Sequence, residues 1–419
     1  MDEQHMEKEE PRAVACAEGP ERSERDLLSR HEPCEPDEPA GDTAEEQYPP
    51  KRLNLVLEGG GLRGVALVGA VAALAEALTQ KYKDTYISYL AGTSAGALVA
   101  TFLGAGYTPA EIASILGGPE FAKVADPAGP SFIPVVGRPI AMAWGAITQL
   151  GMLKGDALLS LFREKLDQKG IRTFRDLIMP GCENERNPAR KYRVHLIASD
   201  ITRGRMLVLP DDISAKLYGV EPDDLEVALA MRMSMSFPFV FRPVQLTGRD
   251  KVTSYIVDGG LLSNFPVHLF DTGAPAPEET LTLGIRVLQA RYHSIHTPFI
   301  AARALWALGS TVQEARDVGD TAKLVDKLKW ARVIEVNSEA APIFKISTNP
   351  LALSPVEREL LYNGGYYVMK RALGADFLER GRAVHAAAAR AERGARGTPG
   401  AAVVRPRHGA GGTEEPGGR

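Results

Sequence analysis

Cysteine is scarce in this chain. The 419 residues hold three, Cys16, Cys34 and Cys182, too few for a disulfide framework or a thiolate metal cluster, and such a composition suits a reducing compartment. Long apolar runs are also missing. The nearest, residues 132–153, is broken by Pro134, Arg138 and Pro139, so no stretch reads as a membrane span. The opening MDEQHMEKEE lacks the basic end and apolar core of a secretory signal. Together these absences point to a cytoplasmic protein that touches a membrane at most peripherally. Basic tracts interleaved with aromatics are absent too, and with them the usual footprint of nucleic-acid binding.

Charge is spread unevenly. Residues 1–50 carry sixteen Asp/Glu against five Lys/Arg, so the remaining residues are net +7 although the whole chain is −4. The leader has scattered prolines and no apolar periodicity, and is expected to be disordered. Residues 390–419, rich in Arg, Gly and Pro, read as a second disordered tail. Between them, residues 51–380 read as one folded domain. Its mild positive charge permits attraction to an anionic membrane surface.

From residue 53 onward, short apolar runs alternate with helical ones. LNLVL (53–57), YISYL (86–90), YRVHLIAS (192–199), RMLVL (205–209), VTSYIV (252–257), LTLGIRV (281–287) and ARVIEVN (331–337) read as strands. Helices fit at 65–80, after Ser94, and at 155–168, 223–233, 299–316 and 354–373. Such alternation implies a three-layer α/β/α domain around a mostly parallel central sheet.

Three motifs follow strands. In GTSAG (92–96), Ser94 sits between small residues at a strand-to-helix turn, which can hold its side chain above the sheet as a nucleophile. The helix dipole and the Ala95 amide would then face a developing oxyanion. The same small residues could instead serve tight helix–strand packing. In LEGGGLRG (57–64), consecutive glycines can aim several amides into one concavity that binds an anion. That anion could be a tetrahedral oxyanion or, since Gly59, Gly61 and Gly64 fit G-x-G-x-x-G, a pyrophosphate. A dinucleotide site needs an acidic residue near the end of the second strand, yet none occurs from Thr85 to Ala110. Arg63 adds a positive charge beside this nest. In YIVDGGLLSNFPV (255–267), Asp258 ends a strand; at the carboxyl end of a parallel strand it would lie near the Ser94 loop and could take the serine proton. None of the eight histidines occupies a position the motifs single out, and His195, inside an apolar strand, reads as a core residue. A Ser/Asp dyad therefore needs fewer assumptions than a triad.

The ordered trio GGGLRG, GTSAG and DGG resembles the patatin-like phospholipase family over most of residues 53–270. GMLKGDALLSLF (151–162), IASDITRGRMLV (197–208) and MRMSMSFPFVFRPV (231–244) resemble further family segments, the last with larger Met233, Met235 and Phe237 where the family has small residues. The resemblance implies lipid acyl hydrolysis of the phospholipase A or lysophospholipase type, with no metal or cofactor. It makes Ser94 the nucleophile, Asp258 the base, Gly59, Gly60 and Gly61 oxyanion donors, and Gly92, Gly96, Gly259 and Gly260 residues of backbone shape. It implies a phospholipid or other acyl-lipid substrate, a peripheral membrane surface as partner, and no nucleic acid. Residues 132–153 and 234–241 would form walls or a lid over an acyl cleft. Acyl transfer between lipids would use the same dyad, and a non-catalytic nucleotide- or lipid-phosphate-binding scaffold would use the same nest.

Overall fold

The computed structural model describes residues 51–125, 150–270, 280–288, 331–337 and 353–374. The leader, the C-terminal tail, the helix expected at 299–316 and residues 132–149 of the interrupted apolar stretch lie outside the described residues.

Along β1 (Arg52–Leu57), Leu53, Leu55 and Leu57 join one core cluster while Val56 joins another, the period of two that gives a strand two buried faces. After it come α1 (Gly64–Gln80), β2 (Tyr86–Thr93), α2 (Ala95–Gly104), α3 (Pro109–Gly117), β3 (Gly151–Leu153) and α4 (Asp156–Asp167). The chain continues through β4 (Val194–Asp200), β5 (Arg205–Leu209), α5 (Val227–Ser234), β6 (Phe239–Phe241), β7 (Val244–Thr247) and β8 (Thr253–Asp258). It closes with β9 (Thr280–Leu288), β10 (Ala331–Asn337) and α6 (Pro355–Ala372); only helices of eight or more residues are numbered.

Among the described residues, eight strands form one sheet in the order β10-β9-β1-β2-β4-β8-β7, with β5 also paired to β4. Every pair from β10 to β4 is parallel, whereas β4–β5, β4–β8 and β7–β8 are antiparallel. This is the mostly parallel α/β architecture that the alternating pattern implies. Helices α1, α2, α4, α5 and α6 share one core with the leucines of β1 and with Leu90, Leu196 and Leu283. On the opposite face Phe265, Val267 and Phe270 close over Val56 and Ala91. Burying side chains of this size is worth roughly 1.5–3 kcal/mol each, so the sheet is fixed from both sides.

Two details depart from the sequence reading. The helix expected at 223–233 is split: Pro222–Asp224 forms a 3-10 turn and α5 begins at Val227. Leu225 and Glu226 are drawn into an extended bridge, since Phe174 donates its amide to Leu225 at 3.0 Å and Val227 donates to Arg172 at 2.9 Å. The strand carrying Asp258 runs antiparallel to β4, not parallel. One helical span among the described residues, Gly61–Gln80, is long and apolar enough to cross a membrane, and it is mostly buried in the core.

Helix α6 docks on α1 backbone to backbone. A Cβ added at Gly365 would fall 1.8 Å from the Ala66 carbonyl oxygen, and one at Gly69 would fall 1.9 Å from that of Tyr362. Tyr366 and Lys370 then reach Glu76, whose carboxyl is held below its ordinary pKa, chiefly by the Tyr366 hydrogen bond. Gly365→Leu is therefore expected to destabilise the fold by about 1–3 kcal/mol through overpacking. The neighbouring Gly364 has open space where a Cβ would go, so Gly364→Ala should stabilise by roughly 0.4–1 kcal/mol. Urea denaturation of both variants checks the pair.

Candidate active site

Strand register brings three loop ends to one level. Leu57 pairs with Gly92, Thr93 with Ile197, and Ala198 with Asp258. The glycine run after β1, the serine after β2 and the aspartate ending β8 therefore emerge together. Asp258 gets there because β4 extends past β2 and β8 descends along it from the opposite direction, the antiparallel arrangement that sequence alone did not reveal.

Ser94 links β2 to α2 with φ 53° and ψ −118°, a left-handed backbone rare for a residue with a side chain. The turn closes only because its neighbours are small. A Cβ at Gly92 would lie 2.4 Å from the Gly96 carbonyl, and one at Gly96 would lie 2.2 Å from the Leu57 carbonyl oxygen. Ala95 opens α2, so its amide belongs to the helix N-terminus and carries part of the positive end of the dipole.

The Asp258 side chain is buried. Its Oδ1 accepts the Gly260 amide at 2.8 Å, while Oδ2 is buried with no hydrogen-bond partner of ordinary geometry. Burial pushes the carboxyl up to about 7, opposed by the nearby Ser94 hydroxyl and the Gly260 amide. The serine hydroxyl is thus near enough to favour the ionised carboxylate. Gly259 allows this approach, since a Cβ there would lie 2.2 Å from the Ile197 carbonyl oxygen.

The glycine nest requires a correction. Gly59 donates its amide to the Asn264 carbonyl at 3.0 Å, and Asn264 Nδ2 donates back to the Gly59 carbonyl at 3.0 Å. This two-bond clamp uses the Gly59 amide inside the fold, so Gly59 shapes the loop and is not an open donor. The remaining candidate donors are the amides of Gly60, Gly61 (φ 54°) and Ala95. Arg63 is also not the surface charge that its place at a helix start suggests. It is 3% exposed, its pKa is lowered by burial and partly restored by Glu58, and its Nε has no hydrogen-bond partner among the described residues.

Ser94 opens onto a cleft lined by Gly61, Ala95, Met235, Phe237, Phe241 and Leu353, among others. Its wall is overwhelmingly apolar, as a binding site for a hydrocarbon chain requires. Met235 and Phe237 are cleft residues, whereas Met233 is wholly buried in the core. Of the expected walls, 234–241 contributes directly; 132–149 lies outside the described residues. His195 stands apart, 1% exposed, with Nδ1 3.1 Å from Asp211.

Sequence reasoning missed Asn264, Arg232, Ser234 and Ser236. Ser234 Oγ accepts the Ser94 amide at 3.0 Å and the Ser236 carbonyl accepts the Asp258 amide at 2.9 Å. Two small polar residues alternating inside the apolar run MRMSMSFPF were the available signal; nothing in the sequence marks Asn264.

The patatin-like phospholipase family model matches residues 55–271, a span holding every one of these residues except Leu353. The chain belongs to this family. YqhO of Bacillus subtilis (strain 168) is 37% identical over 264 residues, covering 63% of this chain and 82% of that protein. A probable lipid hydrolase, 463L, of Invertebrate iridescent virus 6 is 26% identical over 231 residues, 51% of this chain and 62% of the relative. Among solved structures, VipD from Legionella pneumophila matches with a TM-score of 0.40 at 17% identity, over 77% of this chain and 66% of that one. Human GIVD cytosolic phospholipase A2 gives 0.39 at 11%, over 81% and 61%. The chain thus spans two thirds or less of the solved chains it resembles.

The buried carboxyl makes a stability prediction with a definite sign. A folded-state pKa near 7 against 3.8 for the free group means that the folded protein loses stability as pH rises through the window between those values. Asp258→Asn should therefore be more stable than the native protein above pH 7, by up to about 4 kcal/mol. The advantage should fade as pH falls toward 4, read from urea midpoints across that range.

Proposed function

We propose that this protein is a lipid acyl hydrolase that cleaves fatty-acyl esters of glycerophospholipids through Ser94 and Asp258. The observation carrying this reading is the convergence of a left-handed serine elbow, a buried carboxyl with one open oxygen, and unspent amides at the mouth of an apolar cleft. Membership of a family of lipid hydrolases supports it, as does similarity to a viral probable lipid hydrolase.

In the first half-reaction Asp258, ionised, takes the Ser94 proton while Oγ attacks the ester carbonyl carbon. The charge that develops on the carbonyl oxygen is received by the amides of Gly60, Gly61 and Ala95, each donor worth roughly 3 kcal/mol in the transition state. Collapse of the tetrahedral adduct expels the alkoxide, which takes the proton from Asp258 and leaves as the lysolipid alcohol, with the acyl group on Ser94. In the second half Asp258 deprotonates a water that attacks the acyl-enzyme, and the fatty acid departs as the serine regains its proton. The acyl chain lies along Met235, Phe237 and Phe241. Reaching such a substrate requires contact with a lipid surface, which the +7 net charge of residues 51–419 favours when that surface is anionic.

Incubation with defined phospholipid vesicles and mass spectrometry of the released acids tests the assignment. Ser94→Ala and Asp258→Asn should each lose at least about a thousandfold in kcat/KM; fatty-acid release that survives Ser94→Ala would remove the serine from this role. Because the base must be ionised, kcat/KM should rise with pH to a plateau above about 7, the folded-state pKa of Asp258. Replacing Phe237 with Ala should widen the cleft and shift preference toward longer or bulkier acyl chains, by roughly 10-fold in relative kcat/KM.

A further inference from the structure

Ser94 and Asp258 leave strands that are not neighbours. β4 lies between β2 and β8, so the two backbones start roughly 10 Å apart. Their side chains can meet reproducibly only if something fixes that gap. The segment from Arg232 to Phe237 spans it, with one contact to each side. Ser234 Oγ accepts the Ser94 amide at 3.0 Å, and the Ser236 carbonyl accepts the Asp258 amide at 2.9 Å. Both serines are fully buried, so water does not substitute readily for either contact.

The segment is itself held rigidly. Arg232, 3% exposed, donates Nε to the Gly155 carbonyl at 3.2 Å and Nη2 to the carbonyls of Lys154 and Arg242, each at 2.8 Å. Its Nη1 donates to Ser236 Oγ at 2.5 Å. One guanidinium thus ties the segment to the turn after β3 and to the end of β6, using the fixed fork geometry that lysine lacks. Met235, between the serines, and Phe237, directly after them, line the cleft. Alternate residues therefore face the reacting pair and the acyl wall.

We propose that Ser234 is a positioning residue for ester cleavage: its hydroxyl holds the nucleophile elbow in place, within a brace of residues 232–236 that sets the spacing between nucleophile and base. This rests on the Ser94/Asp258 reading. Ser234 contacts the Ser94 backbone and none of the reacting atoms. Its hydroxyl is the acceptor for the Ser94 amide, so removing it frees the elbow without altering the nucleophile, the base or the oxyanion donors.

The test compares Ser94→Ala, Ser234→Ala and Ser234→Thr with the native full-length chain, using a chromogenic short-chain ester and an alkyl fluorophosphonate that labels an activated serine. End-point labelling counts folded sites, and labelling rate reports serine reactivity per site. Ser234→Ala is expected to keep KM and end-point stoichiometry while kcat and labelling rate fall together by roughly 10- to 100-fold. Ser234→Thr, which keeps the hydroxyl, should recover most of the rate per labelled site. Turnover retained by Ser94→Ala would overturn the dyad reading itself. With Ser94→Ala inactive, a wild-type labelling rate in Ser234→Ala overturns the positioning role, whether or not fewer sites label. A Ser234→Thr rate per labelled site as low as that of Ser234→Ala also overturns it.

Discussion

The site depends on one backbone conformation. Ser94 is held at φ 53°, a geometry whose cost is of order 1–3 kcal/mol and which survives only when its surroundings over-determine it. Those surroundings are the carbonyls lying against Gly92 and Gly96, the helix that starts one residue later, and the hydroxyl of Ser234. Relaxing the turn would swing the serine side chain off the crest of the sheet. The strain is what keeps a small hydroxyl open to the cleft when both flanking elements are buried.

Asp258 shows a second compromise. A carboxyl this deeply buried would be better accommodated neutral, and its pKa near 7 records that preference. One oxygen is satisfied by the Gly260 amide and the other is left open. In the proposed mechanism this lost stability leaves a base near neutrality beside Ser94, the tuning that general-base chemistry requires. The glycine nest divides its labour in a similar way: Gly59 is committed to Asn264, which fixes the loop so that the amides after it can remain unsatisfied.

Much of this was legible in the chain itself, and the limits have physical causes. Leu53, Leu55 and Leu57, and the periodic apolar residues of α1, announce strand and helix because burial imposes the period. The three motifs announce the site because small residues at strand ends are needed for close approach. Strand direction was not legible. Nothing local in VTSYIVD distinguishes a parallel strand from an antiparallel one, since the partner strand decides it. The use of the Gly59 amide was hidden for the same reason, its acceptor Asn264 lying far along the chain. The break in the helix before Val227 was hidden too, because residues 172–174 compete for its backbone.

The reversed direction of β8 has a geometric result. Because Asp258 ends that strand, the hairpin joining β7 to β8 stands outward past the sheet edge that carries Ser94, its tip at residues 248–252, roughly 20 Å above the carboxylate. Arg203 steadies it through Ser254 and Asp250, and Val252 and Tyr255 are partly exposed along it. Lengthening or trimming that finger would reshape the rim beside Asp258 while leaving that residue anchored at its base. Under the proposed mechanism, the fold separates the ground on which selectivity can drift from the ground on which chemistry is fixed.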